Sequence, residues 1–296
     1  MALADLLTAS VTPAPGERPR DRELDLFGLT HRGKVRQDNQ DHFLLATVHH
    51  QIAIHGTSLP DPNGLPLRGE RLATIMLVAD GVGGSAAGGD ASKLAAETVA
   101  RYVASTMDSY HTAGSADEGV FLAAMRAAAL EAHAAVRGAA DASAPVVRTM
   151  ATTLTLAMVV WPWAYVLQVG DSRCYYYWDG ELRQVTRDQT VAQDLVDGGV
   201  LKPERAAASP FSRVLASSIG GDEASPVVTR LDIRQRGCVL LLCSDGLTTH
   251  LSDADIAGRL RTMEGSEQLC RSLLDLALER GGTDNITVVV GRARGG

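Results

Sequence analysis

The stretch RLATIMLVADGVGG, residues 71–84, decides how this chain folds. From Arg71 to Ala79 it is a run of β-forming, mostly apolar residues that reads as a strand buried on both faces, and it breaks at Asp80 into glycines. Two further runs end in the same way: AYVLQVGDSR reaches Asp171, and VLLLCSDGL reaches Asp245. Asp284 directly precedes the terminal run ITVVVG, and Asp41 directly precedes HFLLATV. A single Asp at a strand end is an ordinary turn residue. Five of them at strand ends predict carboxylates gathered on one rim of a sheet. Two carboxylates ~4 Å apart repel by about 4 kcal/mol at an effective dielectric near 20, so the cluster calls for a neutralising divalent cation. Oxygen-only donors suit Mg²⁺ or Mn²⁺, and the absence of paired His or Cys spacing argues against structural Zn²⁺. Gly81, Gly83 and Gly84 would let backbone come close to an ion or ligand.

Outward from that stretch, LDLFGLTHRG and DHFLLATVHH read as two strands around a polar turn. Residues 56–69 form a Pro- and Gly-rich loop before the Arg71 strand. Helical spacing predicts helices over Ala91–Met107 and Val120–Ala140, and their alanine content points to close packing on a sheet. The segment 152–186 is β-branched and aromatic with turn signals at Trp161-Pro162 and Asp179-Gly180, which predicts three or four antiparallel strands. A short helix and polar loop follow over 190–208, then a buried strand over Cys238–Cys243. Ser252 and Asp255 have the spacing of a capping box for a helix through Met263. A last amphipathic helix spans Ser266–Glu279.

The 296 residues, 45% hydrophobic and 21% charged, describe a globular chain rather than a disordered or fibrous one. Residues 1–23, with three prolines and no apolar period, read as a flexible leader, and residues 24–296 as one folded domain. The net charge of −7 disfavours nucleic acid and anionic membrane as partners. Cys174, Cys238, Cys243 and Cys270 have neither metal-site nor disulfide-scaffold spacing, so free thiols in a reducing compartment are expected. Asp5 stands where a signal peptide would carry a base, and the apolar stretch Leu154–Leu167 is interrupted by Pro162 and shorter than the ~20 residues of a membrane span. The expectation is a soluble cytoplasmic monomer.

Gly81-Val82-Gly83-Gly84-Ser85-Ala86 matches the spacing of a dinucleotide-binding turn. The segment after the following helix, however, runs into another helix instead of the parallel strand that such a unit requires. Lys93 lacks the context of a phosphate-binding loop, and no GxSxG elbow is present.

In order along the chain stand GKVRQDNQD (33–41), VADGVGG (78–84), MATTL (150–154), VGDSR (169–173), LVDGG (195–199), CSDGL (243–247) and TDNITVVV (283–290). This ordered set resembles the metal-dependent serine/threonine protein phosphatases of the PPM or type 2C family, and the resemblance runs from Leu24 to Val290. It implies an α+β layered sandwich, two mostly antiparallel sheets packed face to face and flanked by helices, with a binuclear metal site at one rim. It further implies that Asp80 bridges two Mn²⁺ or Mg²⁺ ions, that Gly81 supplies a carbonyl, and that Asp245 and Asp284 bind the first ion. Asp41 would hold metal-bound water, Asp171 would bind a third ion, and Arg36 would grip the substrate phosphate. Catalysis would then fall to Arg36, Asp80 and Asp245, with the segment 190–208 as a flap beside the site. The implied partners are phosphorylated proteins, a Ser/Thr kinase or its substrates among them.

Three positions depart from the family pattern. Gln40 replaces a Glu, Ala151 a Gly, and Val82 stands where some relatives carry a His. The missing charge at Gln40 leaves a second reading open, a catalytically weak phosphatase-like module that binds phosphoproteins. His42 reads first as a structural residue and otherwise as an acid or substrate contact, and His49-His50 as a solvated pair on opposite strand faces. Cys243, Arg173 and the aromatic run Tyr175–Trp178 read as packing or pairing residues.

Overall fold

The computed structural model describes residues 17–51, 68–82, 86–112, 118–142 and 150–294. The expected loop over 56–69 falls mostly outside this set, as do residues 1–16, Gly83, Gly84 and the His50 side chain.

Among the described residues, eleven strands form two antiparallel sheets. The first has the order β1 (Leu24–His31), β11 (Ile286–Ala293), β10 (Val239–Cys243), β7 (Arg173–Trp178), β8 (Glu181–Gln184). The second has the order β2 (Asp41–Gln51), β3 (Arg68–Val82), β5 (Leu154–Val160), β6 (Trp163–Val169), β9 (Val227–Asp232), and the short β4 (Ala151–Thr152) pairs with the end of β3. Helices α1 (Ala86–Thr112) and α2 (Glu118–Ala142) cover the second sheet, while α5 (Asp245–Thr248), α6 (Asp253–Arg261) and α7 (Ser266–Glu279) cover the first.

The two-residue period of a strand explains why the apolar runs are continuous. In β3, Ile75, Leu77 and Ala79 face α1 and α2, whereas Met76 and Val78 face the other sheet. In β10, Val239, Leu241 and Cys243 face α6 and α7, and Leu240 and Leu242 face inward. Both strands need apolar residues on both faces because both are sandwiched between a sheet and helices. The four layers are therefore helix, sheet, sheet, helix. α2 is long and apolar enough in composition to cross a bilayer, yet Met125, Ala129, Ala132 and Val136 are buried in the helix–sheet core.

Strands β1 and β2 do not pair with each other, which corrects the simple two-strand reading. Each is an edge strand of a different sheet, and segment 32–40 crosses between the sheets at one rim. The predicted strand group over 152–186 divides likewise: β5 and β6 pair in one sheet, residues 170–172 cross over, and β7 and β8 pair in the other. β9 had no counterpart in the sequence reading, because VVTRLD is half-exposed and lacks a long apolar run. Both helices near the start and the capping-box helix match their predicted places, with Ser252 and Asp255 making the reciprocal bonds.

The leader boundary at residue 23 is placed too late. Arg71, buried in β3, donates to the carbonyl of Pro19 (2.7 Å) and to Asp21, and Arg236 reaches the carbonyl of Glu17 (3.2 Å). A buried guanidinium needs such partners, and the residues before β1 supply them.

Candidate active site

The inner-face pattern changes from apolar to polar at the rim where the chain crosses between sheets. Continuing every second residue past Phe43, Met76, Val78, Ala157, Cys174, Leu242 and Val289 gives Asp41, Asp80, Thr155, Ser172, Ser244 and Thr287. The opposite rim is lined by Leu26, Met76, Trp161, Ile233 and Leu240 together with Arg71 and Arg292, and no carboxylate is among its described lining residues. Among the described residues, the clustered carboxylates lie at one end of the sandwich.

At that end a cleft of about 600 Å³, open to solvent, is lined by Arg36, Gln40, Asp80, Gly81, Val82, Thr153, Asp171, Arg213, Leu215, Asp245, Asp284 and Asn285. Six of the seven predicted site residues line it together: Arg36, Asp80, Gly81, Asp171, Asp245 and Asp284. Asp41 lies behind them, directly across from Asp80 in the β2–β3 register and almost wholly buried.

Each carboxylate is positioned by a different element. Asp80 is held by its backbone: its N–H donates to Thr153 Oγ1 (3.0 Å), and its carbonyl accepts from Thr152 Oγ1 (2.8 Å) and Thr153 N (2.9 Å). Asp171 rides on the 170–172 crossing, where Gly170 N donates to Gln189 Oε1 (2.8 Å) and Ser172 Oγ meets Thr153 Oγ1 (2.8 Å). Asp245 begins α5 directly after β10. Asp284 accepts from Asn285 N at Oδ1 (2.9 Å) and from Arg36 Nη2 at Oδ2 (2.8 Å).

Asp41 Oδ2 accepts from Thr287 Oγ1 (2.7 Å) and Ser244 Oγ (2.8 Å), one donor from each of two strands of the facing sheet. Its Oδ1 meets no donor although it is fully buried. An orphaned buried carboxylate oxygen is costly unless a cation or proton faces it. The electrostatics agree. Burial, and then the charges of Asp41, Asp245 and Asp171, push the Asp80 carboxyl well above the usual carboxylate range. Burial and Asp245 push Asp171 up to about 8, and burial raises Asp41 to about 6 against its Thr287 and Ser244 bonds. Asp245 is raised by burial and Asp284 and is eased by Arg213 and Arg36. The donor set is carboxylate and carbonyl oxygen, with no Cys or His among the lining residues, which is the chemistry of a hard divalent cation.

Gly81 has a packing reason as well as a chemical one: a Cβ there would lie 2.3 Å from the Gly88 carbonyl and 2.8 Å from the Gln40 carbonyl. Three residues that the sequence reading left unassigned build the site. Asn285, buried in the TDN motif, accepts from Gln40 N and donates to the carbonyls of Arg32 and Asp38, all at 2.9 Å, and so ties the crossing segment to the rim. Ser244 and Thr287 hold Asp41. Their signal was available, since each continues the inward face of an apolar strand.

Arg173 donates to Asp188 through Nε (2.9 Å) and Nη2 (2.7 Å), a pairing role as expected. Tyr175 packs among the helix-facing core residues with its hydroxyl on Asp253 (2.9 Å), and Cys243 is buried beside it. His42 points to α1, where Nδ1 meets Ser92 Oγ (2.9 Å), on the face of β2 away from the cleft. Burial lowers its pKa. The four cysteines are free and buried.

Clustered carboxylates suited to a divalent cation, with a guanidinium beside them suited to an anion, lie at one rim of a four-layer sandwich. The protein phosphatase 2C family profile matches residues 67–276. Over 218 residues the chain is 37% identical to the serine/threonine protein phosphatase PstP of Mycobacterium tuberculosis, which covers 74% of this chain but only 40% of PstP. It is 27% identical over 271 residues to the serine/threonine phosphatase Stp of Listeria monocytogenes, covering 88% of this chain and 92% of that protein. The solved catalytic domain of PstP in complex with two manganese ions superposes with a TM-score of 0.69 at 30% identity, covering 92% of this chain and 98% of that one. The chain belongs to the protein phosphatase 2C family.

Proposed function

We propose that this chain is a metal-dependent protein serine/threonine phosphatase, hydrolysing phosphoserine and phosphothreonine with bound Mn²⁺ or Mg²⁺. The observation that carries the reading is the convergence of Asp80, Asp171, Asp245 and Asp284 with Arg36 on one cleft, backed by the donorless Oδ1 of Asp41. Asp80, the Gly81 carbonyl, Asp245 and Asp284 would hold two ions, Asp171 a third, and Asp41 would accept from ion-bound water. Bound divalent cations lower the pKa of coordinated water and neutralise developing phosphoryl charge.

The chain's own groups do the rest. Arg36 spends one N–H on Asp284 and has further donors in the fork geometry that matches two phosphoryl oxygens. Thr153 and Ser172 bond to each other beneath the cleft. No Cys, Ser or His lines the described cleft, and the aspartates that do are assigned to the cations rather than to a covalent phospho-enzyme. Water is left as the attacking group.

Free buried thiols support a reducing cytoplasmic location. The substrates we assign are a Ser/Thr kinase or that kinase's own targets in a signalling pathway, acted on by a monomer. Asp80→Asn and Asp245→Asn are expected to lower Mn²⁺-dependent p-nitrophenyl phosphate hydrolysis by at least ~100-fold. Near-normal turnover in both variants would overturn the assignment.

A further inference from the structure

Arg213 carries no motif, and nothing above gives it a task, yet it lines the cleft with the carboxylates. It sits in the segment between α4 (Pro203–Ala206) and the Thr190–Leu215 bridge. The backbone around it is pinned: Val191 N donates to the Val214 carbonyl (2.8 Å), and Ala216 N donates to the Gln189 carbonyl (2.9 Å). Its side chain is held loosely by comparison. Nη2 reaches Thr249 Oγ1 at 3.4 Å, and Arg213 makes no ion pair with a carboxylate among the described residues.

That separates it from the other arginines near the rim. Arg36 is bonded to Asp284, and Arg173 is bonded through two nitrogens to Asp188. Arg213 lines the same cleft as Asp80, Asp171, Asp245 and Asp284, and its charge favours the ionised form of Asp245. It reaches the cleft from a different segment than Arg36, which belongs to the 32–40 crossing. A guanidinium on a fixed backbone, facing a cleft and without an ion-pair partner of its own, is poised to accept an anion brought in by the substrate.

We propose that Arg213 is a second phosphate contact, gripping the phosphomonoester dianion from the flap side while Arg36 grips it from the crossing segment. The proposal rests on the phosphatase reading for its choice of anion. It makes the residues around 213 part of substrate binding. Val82, Phe211 and Val214 are exposed apolar side chains in the neighbouring stretches, suited to the uncharged parts of a peptide around the phosphate.

The test compares wild type, Arg213→Ala and Arg213→Lys, each loaded with Mn²⁺. The readouts are KM and kcat for p-nitrophenyl phosphate, and binding of inorganic phosphate by calorimetry. Arg213→Ala is expected to raise KM and the phosphate Kd by about ten-fold with kcat changed less than about three-fold, and Arg213→Lys to recover part of the loss. The melting temperature of Arg213→Ala should match wild type, since the side chain is exposed and weakly bonded. KM and Kd within two-fold of wild type would overturn the proposal, as would an equal loss in the Lys and Ala variants accompanied by a lower melting temperature. Should wild type bind phosphate ten-fold more tightly than Arg213→Ala yet hydrolyse no phosphomonoester, the phosphatase reading fails while the phosphate contact stands.

Discussion

Asp41 shows how much one residue's neighbours decide. Its two oxygens have opposite circumstances: Oδ2 accepts from Ser244 and Thr287, while Oδ1 is buried with no donor. The two hydroxyls orient the carboxylate and favour its charged form, which leaves Oδ1 aimed at whatever cation or bound water occupies the rim. Removing them should therefore be felt at the metal, although neither touches the cleft. The double variant Ser244→Ala with Thr287→Val is expected to weaken Mn²⁺ binding by ~10–100-fold, read by calorimetric titration. Unchanged affinity would show that Asp41 needs no such support. At this scale the aspartates were legible because each interrupts an apolar run at its end. Arg213 was not, since SPFSRVLA has no period and no motif, and only the pairing of residues 214–216 with 189–191 brings it to the cleft.

Among elements, the runs at β3, β10 and β11 declared themselves because burial on two faces demands an unbroken apolar sequence. Which sheet each strand joins was not written in any local pattern. LDLFGLTH and DHFLLATV look like neighbours, but the segment between them is long and is tied down by Asn285, so it bridges two sheets. The 170–172 crossing shows the same thing in fewer residues, and both crossings carry cleft residues, Arg36 and Asp171. The junction of β10, α5 and the turn before β11 leaves no room for a side chain at Gly246. A Cβ on Gly246 would stand 1.9 Å from the Asn285 carbonyl, which is backbone and cannot swing away. Gly246→Ala should accordingly cost roughly 2–4 kcal/mol and weaken Mn²⁺ binding, because relief requires moving Asp245 or Asp284. Gly258, inside α6, is the control, as its Cβ would meet nothing within 4 Å. Gly258→Ala should stabilise by roughly 0.5–1 kcal/mol in urea denaturation, from helix propensity alone.

For the molecule as a whole, the rim stores an unfavourable charge cluster that the rest of the fold must hold together. The excess of 35 acidic over 28 basic residues says little about this, because what matters is that Asp41, which is buried, and the half-buried Asp80, Asp171 and Asp245 are gathered at one rim. All four are raised above the unfolded carboxylate value, with Asp41 at about 6 and Asp171 at about 8. The sign of the linkage follows. Between the unfolded value near 4 and these folded values, the native state binds more protons than the unfolded chain, so stability falls as pH rises through that window. Cations compete with those protons for the same oxygens and should act most strongly where the carboxylates are ionised. In the presence of chelator, the melting temperature is therefore expected to fall from pH 5 to pH 8 through this group of residues. Saturating Mn²⁺ should raise it more at pH 8 than at pH 5. Asp171→Asn removes one of the titrating charges and should flatten the upper part of the metal-free profile, near pH 8, without altering the Asp41 region near 6. A metal-free melting temperature that rises from pH 5 to pH 8, in wild type but not in an Asp80→Asn variant, would mean that these carboxylates are ionised and already compensated in the native fold.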